Sequence, residues 1–316
     1  MATGIVGATG FIGSYLCQQM SGGHETLRIF ARSEAKIPSL SNTEVLLGNL
    51  LSGPDCERFA SGLEVIYYLA HTNNPFNSDL DQAADVALNL VPFLTLLSAI
   101  RGLASKPHVV YFSSGGAVCA RSASRVPYCE CDRCAPTTSY GILKLTAEQY
   151  LRLAAERGEL TATVLRVGNA YGALLPQYRT QGLIGVALNQ ILHRNPVRVF
   201  GSAENVRDYV HLQDVATMAR KASTPHRPFD IVNVGSGQGH SVNDVLAILR
   251  ECHGSPFCTQ LDPGNAPSLP DWVVLDTSYA RREFGWIPGM GRRAGIAAML
   301  AESNGDPYAA ASAVAG

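Results

Sequence analysis

The sequence predicts an α/β protein, a doubly wound parallel sheet with a smaller, discontinuous C-terminal α/β domain. Three observations lead there. An apolar pair, Ile5-Val6, runs into the turn Gly7-Ala8-Thr9-Gly10-Phe11-Ile12-Gly13, and apolar residues then recur at helical spacing through Tyr15, Leu16 and Met20. Short apolar runs alternate with helical patterns through the first half, as strands joined by crossover helices do. Beyond Gly172 that rhythm gives way to denser Pro, Gly and Asn and to shorter strands.

In chain order, strands are expected at 27–31, 44–47, 65–69, 108–112 and 161–167. Helices are expected at about 80–103, where Pro92 predicts a kink, and at about 138–156. In such sheets ligands lie at the carboxyl ends of the strands, so the loops at Gly7, Ala31, Leu69, Ser113 and Val167 are expected to share one edge. Residues 1–172 and about 201–224 are read as the nucleotide-binding domain, with 205–224 returning to the main sheet. Residues 173–200 and 225–305 are read as a substrate domain. The Ala- and Ser-rich stretch 306–316 carries no core signal and reads as a mobile tail.

The 316 residues suffice for one large core or for a main domain with a smaller partner. A net charge of −1 argues against nucleic acid or an anionic membrane surface as partner. The apolar stretches read as shorter than the roughly 18 residues that span a bilayer. A strand at the very start leaves no room for a signal peptide, and eight cysteines without one read as reduced thiols in a cytoplasm.

The opening turn reads as a dinucleotide cradle. Gly7 permits the tight turn, Gly10 lets a diphosphate approach the backbone, and Gly13 lets the helix pack close on the strand. Thr9, Phe11 and Ile12 belong to the same loop and to the helix N-terminus, whose unpaired N–H groups favour phosphate. The strongest catalytic signal is Tyr140-Gly141-Ile142-Leu143-Lys144, which places a phenol and an ammonium on one helix face. A lysine cation favours phenolate, so Lys144 is expected to lower the Tyr140 pKa and enable proton exchange with a hydroxyl or carbonyl oxygen.

These residues resemble the extended short-chain dehydrogenase/reductases, the branch of nucleotide-sugar epimerases, dehydratases and ketoreductases. The resemblance also covers Leu69-Ala70-His71, Arg166-Val167-Gly168-Asn169-Ala170-Tyr171-Gly172, Arg207-Asp208-Tyr209-Val210-His211 with Asp214-Val215, Asn233-Val234-Gly235-Ser236-Gly237 and Phe284-Gly285-Trp286-Ile287-Pro288. It implies a Rossmann-type fold and a homodimer. It implies cofactor contacts at Gly7 to Gly13, at Leu50, Leu69, Ala70, His71, Ser113 and Val167, and at Tyr140 and Lys144. It implies that Asn169 and Arg207 hold the diphosphate of a nucleotide-linked sugar, with Val199 and Gly201 beside the base. An ion pair of Arg207 with Asp208 is the alternative.

Four departures shape the reading. Phe30-Ala31-Arg32-Ser33 lacks the acidic residue that suits the NAD ribose, so Arg32 and Ser33 favour NADP over NAD, and Asn49 faces the adenine edge. Gly115-Gly116-Ala117 stand where relatives carry a hydroxyl or a Thr-Asp-Glu triplet. That argues against a dehydratase and leaves Ser114 or Ser113 to polarise the substrate oxygen, unless both only cap the strand. Cys129-x-Cys131-x-x-Cys134 offers three ligands where a zinc site takes four, with His108 the nearest histidine in sequence, and is read as loop thiols with no metal. Positions 263–271 lack a second phosphate-binding Arg. The sequence thus predicts NADPH-dependent reduction of a 4-keto nucleotide sugar, with Tyr140 as acid, Lys144 as its partner and Ser114 on the oxygen. An NAD-dependent 4-epimerase and a non-catalytic NADP-binding protein are the alternatives.

Overall fold

The computed structural model describes residues 2–21, 26–34, 37, 40–121, 124–262, 264 and 268–305. The tail expectation at 306–316 lies outside the described residues. The chain divides into two compact units: Met1–Ser114, Ser139–Arg166 and Ala216–Val232 form the first, and Gly115–Thr138, Val167–Val215 and Asn233–Gly316 the second. The second therefore takes 115–138, 167–172 and 201–215, which the sequence reading gave to the nucleotide-binding domain.

Strands are numbered along the chain. β1 (Thr3–Val6), β2 (Leu27–Ala31), β3 (Thr43–Leu47), β4 (Val65–Tyr68), β5 (His108–Ser114) and β6 (Thr161–Val167) join β10 (Phe229–Val234) in one sheet, ordered β10-β6-β5-β4-β1-β2-β3. The parallel registers pair Val6 with Phe30 and with Tyr68, and Tyr68 with Tyr111, so these strands end at one level. The strand order reverses at β1, which opens the crevice where such sheets take ligands. β4 is buried throughout and β5 nearly so, as continuous apolar runs covered on both faces must be.

The core between helices and sheet gathers Phe59, Ile66, Phe93, Leu96, Leu97, Ile100 and Leu151. Four of these lie on the helical segment Gln82–Gly102 at positions i, i+3, i+4 and i+7, the spacing of a buried stripe. By length and composition this 21-residue segment could cross a membrane, which corrects the reading that no apolar stretch is long enough. Phe93, Leu96, Leu97 and Ile100 on it pack in the core, while Val86, Leu88 and Val91 are exposed. Pro92 does not end the helix. The π turn Val86–Leu90 precedes it and widens the backbone ladder where proline cannot donate.

In the second unit β9 (Val206–His211) pairs with β7 (Asn169–Tyr171), β11 (Gly239–Ser241) and β13 (Trp272–Val273), while β8 (Val197–Phe200) pairs with β12 (Thr259–Asp262). The expected return of 205–224 to the main sheet holds only from Ala216, which belongs to the first unit; Val206–His211 lies in the smaller sheet, and Phe229–Val234, from the segment read as substrate domain, takes its place in the large one. Asp208 is buried in the small sheet and is satisfied there by donors from Ser236, Gly237 and Leu275, partners that are distant in sequence. The Trp286 indole donates to the Asp214 carbonyl (3.1 Å), and the Asp214 carboxylate accepts from Gly289 N and Met290 N (2.8 and 3.0 Å). Two motifs of the sequence are thus spent on one structural junction.

Gly7 has φ +93°, and a Cβ on Gly13 would stand 2.1 Å from the Gly7 oxygen. Gly13→Ala is expected to cost about 1–3 kcal/mol in urea denaturation and to weaken dinucleotide binding at least tenfold. Unchanged binding would contradict this role of the turn.

Candidate active site

The opening loop fits a dinucleotide diphosphate. Gly10 is the N-terminal boundary of the helix Phe11–Met20 and offers no capping side chain, so the first-turn N–H groups are left to a ligand. Thr9 and Gly10 are exposed, whereas Ala8 and Gly13 are buried against the sheet. At the end of β2, Arg32 and Ser33 are both exposed. Asn49 is exposed too: its backbone N–H donates to Asp55 and its side-chain oxygen accepts from Leu51 N, which leaves its amide nitrogen outward. Leu69 and Ala70 follow β4, with the Ala70 backbone nitrogen 2.6 Å from where a Gly7 Cβ would sit. Leu50 lends its side chain to the core and Phe11 and Ile12 are half-buried.

The helix Ser139–Glu156 carries the phenol and the ammonium. Lys144 is buried, and its Nζ donates to the Phe112 carbonyl at 2.8 Å and lies 5.7 Å from the centre of the Tyr140 ring. Burial pulls the Lys144 ammonium down to about 7, with the Glu148 carboxylate opposing. Burial pushes the Tyr140 phenol up to about 12, and a hydrogen bond shared with Ser114 works against that. The expected lowering of Tyr140 by Lys144 is therefore not found: desolvation of the phenolate outweighs the cation, which is directed at a backbone oxygen.

The two serines part company. Ser113 donates to Glu148 Oε1 at 2.5 Å, and Arg166 holds the same carboxylate through Nη2 at 2.7 Å. The Ser113 hydroxyl, expected at the cofactor, is thus spent on a buried ion pair. Ser114, one residue on and facing the other way, meets Tyr140.

Beside the phenol lie His71, expected at the cofactor, and a set of polar residues that the sequence reading did not single out, Asn73, Asp85, Asn89 and Ser139. The His71 ring stands edge-on to Tyr140 with centroids 4.7 Å apart. Its Nε2 has no hydrogen-bond partner among the described residues and lies 4.0 Å from Asp85 Oδ1. Asp85 accepts from Asn73 Nδ2 (3.0 Å), Asn89 Nδ2 (2.7 Å) and Ser139 Oγ (2.6 Å), and Asn89 in turn accepts from Thr72 N (2.7 Å). Asp85 and Asn89 stand four apart in a largely apolar helical segment, and that spacing was the signal available.

In the second unit, Arg207 Nη1 donates to the carbonyls of Val206 (2.8 Å) and Asp271 (3.2 Å). The alternative pairing with Asp208 is not made, because that carboxylate accepts from Ser236 N, Ser236 Oγ, Gly237 N and Leu275 N. Asn169 is exposed on β7, and Val167 belongs to this unit. Gly201 takes φ +77°, while the Val199 side chain is buried in the unit's core and offers a ligand only its main chain. Within 263–271, residues 263 and 265–267 lie outside the described residues.

A parallel sheet opened by a glycine turn, with a tyrosine and a lysine one helical turn apart at its edge, defines the extended short-chain dehydrogenase/reductase class. The profile of the NAD dependent epimerase/dehydratase family matches residues 4–235. The chain belongs to that family and is an NAD(P)-dependent enzyme of nucleotide-sugar epimerase or reductase type. It is 27% identical over 307 residues to a UDP-glucose 4-epimerase of Mycolicibacterium smegmatis, covering 94% of this chain and 96% of that one. It is 29% identical over 233 residues to a dTDP-4-dehydro-6-deoxyglucose reductase of Escherichia coli, covering 72% and 70%. The structure of a Thermotoga maritima UDP-glucose 4-epimerase with UDP-glucose superposes with a TM-score of 0.85 at 25% identity, covering 96% of this chain and 100% of that chain.

Burial lowers His71 to about 2, reinforced by Lys144, and lowers His108 to about 4, with backbone hydrogen bonds opposing. Both stay neutral when folded, while unfolded imidazoles protonate near pH 6.5. Their contribution to stability is complete above pH 6.5 and is lost as pH falls through that value. Below it, unfolding takes up as many as two protons, a slope approaching about 2.7 kcal/mol per pH unit. Urea denaturation at pH 7.5 and 5.0 should show this loss, and His108→Gln should reduce the slope. Stability independent of pH across that range would contradict it.

Proposed function

We propose that the protein reduces the 4-keto group of a nucleotide-linked sugar with NADPH. The observation that carries this reading is the end of β2, where Arg32 and Ser33 are exposed and no acidic residue stands at 30–33, as suits an NADPH consumed as a reagent. In this reading Tyr140, beside Ser114, supplies the proton to the ketone oxygen. A nicotinamide cofactor, when bound, supplies the hydride. Gly7 to Gly13 hold its diphosphate, Arg32 and Ser33 its 2′-phosphate, Asn49 the adenine edge, and Lys144 the nicotinamide ribose. The exposed Arg32 and Ser33, with no carboxylate between them, favour the 2′-phosphate.

Tyr140 gives its proton to the C4 oxygen. Ser114 hydrogen-bonds the same oxygen and stabilises the charge that develops there. Lys144, with a pKa drawn toward neutrality, replenishes the proton on Tyr140. Asn169 and Arg207 bind the substrate diphosphate. The carbonyls of Val206 and Asp271 orient the guanidinium and leave its charge unneutralised by Asp208. Val86, Leu88 and Val91 on one helical segment and Ile142, Tyr150 and Leu153 on another are exposed apolar residues, and they support a homodimer. All eight cysteines are unbridged, which suits the cytoplasm.

The second reading, an NAD-dependent 4-epimerase, is favoured by the likeness to the Mycolicibacterium smegmatis and Thermotoga maritima epimerases. Tyr140→Phe is expected to lose at least 100-fold in kcat on a 4-keto nucleotide sugar while binding NADPH unchanged. Full activity in that variant would reject the role of the phenol, whereas a parent chain without activity would leave the non-catalytic reading.

A further inference from the structure

The six residues from Cys129 to Cys134 carry three thiols and two carboxylates, and nothing in the proposed reaction uses them. Counting Cys and His alone, the sequence reading found too few ligands, and His108 does not help, since its ring nitrogens engage Thr161 and Thr163 (2.8 and 3.1 Å). The structure adds Asp132. One ligand atom each from Cys129, Cys131 and Asp132 lies within 4.8 Å of the other two.

The backbone holding them is firmly tied. Cys129 N donates to Asp132 Oδ2 at 2.8 Å, and Asp132 N donates back to the Cys129 carbonyl at 3.2 Å. On one side Tyr128 N donates to the Val274 carbonyl and Asp276 N to the Tyr128 carbonyl, both at 2.8 Å. On the other, Ala120 N donates to the Arg133 carbonyl (3.2 Å), where the backbones of positions 119 and 134 pair antiparallel. Glu130, between the two thiols in sequence, turns to Asn233 N at 2.8 Å and stays out of the cluster. Cys134 Sγ lies 3.8 Å from the Asp132 carbonyl, on the same turn.

We infer that Cys129, Cys131 and Asp132 bind a thiophilic divalent cation of the zinc type, with solvent completing its coordination. Zn–S bonds of about 2.3 Å set tetrahedral ligands about 3.8 Å apart, so three ligand atoms already within 4.8 Å of one another need only a small contraction to close on the ion. Binding releases the thiol protons to solvent and changes no oxidation state. The ion would fasten a turn that also holds Asn233 Nδ2 through the Tyr128 carbonyl at 2.8 Å, so its effect is on stability rather than on hydride transfer.

The test is a Zn²⁺ titration of the full chain, stripped of metal and kept reduced, against a chromophoric chelator. One equivalent should bind and raise Tm. The double variant Cys129→Ser, Cys131→Ser should bind at least 100-fold more weakly while still binding NADPH, which certifies its fold. Asp132→Asn keeps an oxygen for the Cys129 N–H and removes the anionic ligand, and should weaken Zn²⁺ at least tenfold. Absence of binding, or an affinity unchanged in the double variant, would overturn the site.

Discussion

Lys144 and Glu148 stand one turn apart on the same helix and are both buried, and the first unit is arranged around satisfying them. A charge removed from water is very costly unless it finds partners inside. Lys144 finds the Phe112 carbonyl; Glu148 finds the Ser113 hydroxyl and the Arg166 guanidinium. The helix is thereby tied to the end of β5 and to β6 through polar contacts as well as apolar packing. Because side chains alternate along a strand, fixing Ser113 on Glu148 presents Ser114 toward Tyr140. The disposition of the phenol and its hydroxyl neighbour follows from how two buried charges are housed.

Burial has a second consequence. The ammonium is drawn toward neutrality and the phenol is held protonated, so the pair resembles a proton donor with a reserve more than a preformed phenolate. His71, edge-on to that phenol, stays neutral for the same reason. The cluster of Asp85, Asn73, Asn89 and Ser139 keeps a carboxylate near the site whose donors are neutral. Those donors satisfy it without bringing further positive charge to Tyr140.

Much of this was legible in the sequence. The glycine turn and the Tyr140–Lys144 spacing declared themselves because each needs residue types that ordinary packing does not. The first-half strands were legible as apolar runs. What escaped depends on contacts distant in sequence. Nothing local tells that Val206–His211 pairs with Gly239–Ser241 and not with the large sheet, or that Asp208 caps the turn at Ser236 and so leaves Arg207 to itself. The sign of the Tyr140 shift escaped too, since it rests on how completely the helix is covered. Pro92 was read as a kink; the π turn Val86–Leu90 just before it had no sequence signal of its own.

The central claim, that Tyr140 donates a proton while hydride passes irreversibly from NADPH to C4, is tested most directly by isotope transfer. NADPH deuterated at nicotinamide C4 is incubated with a dTDP-4-keto-6-deoxyhexose and the product examined by mass spectrometry and NMR. One deuteron at sugar C4, with one NADPH consumed per product, is the predicted result. Interconversion of UDP-hexose epimers with no label gained and no NADPH consumed would contradict it.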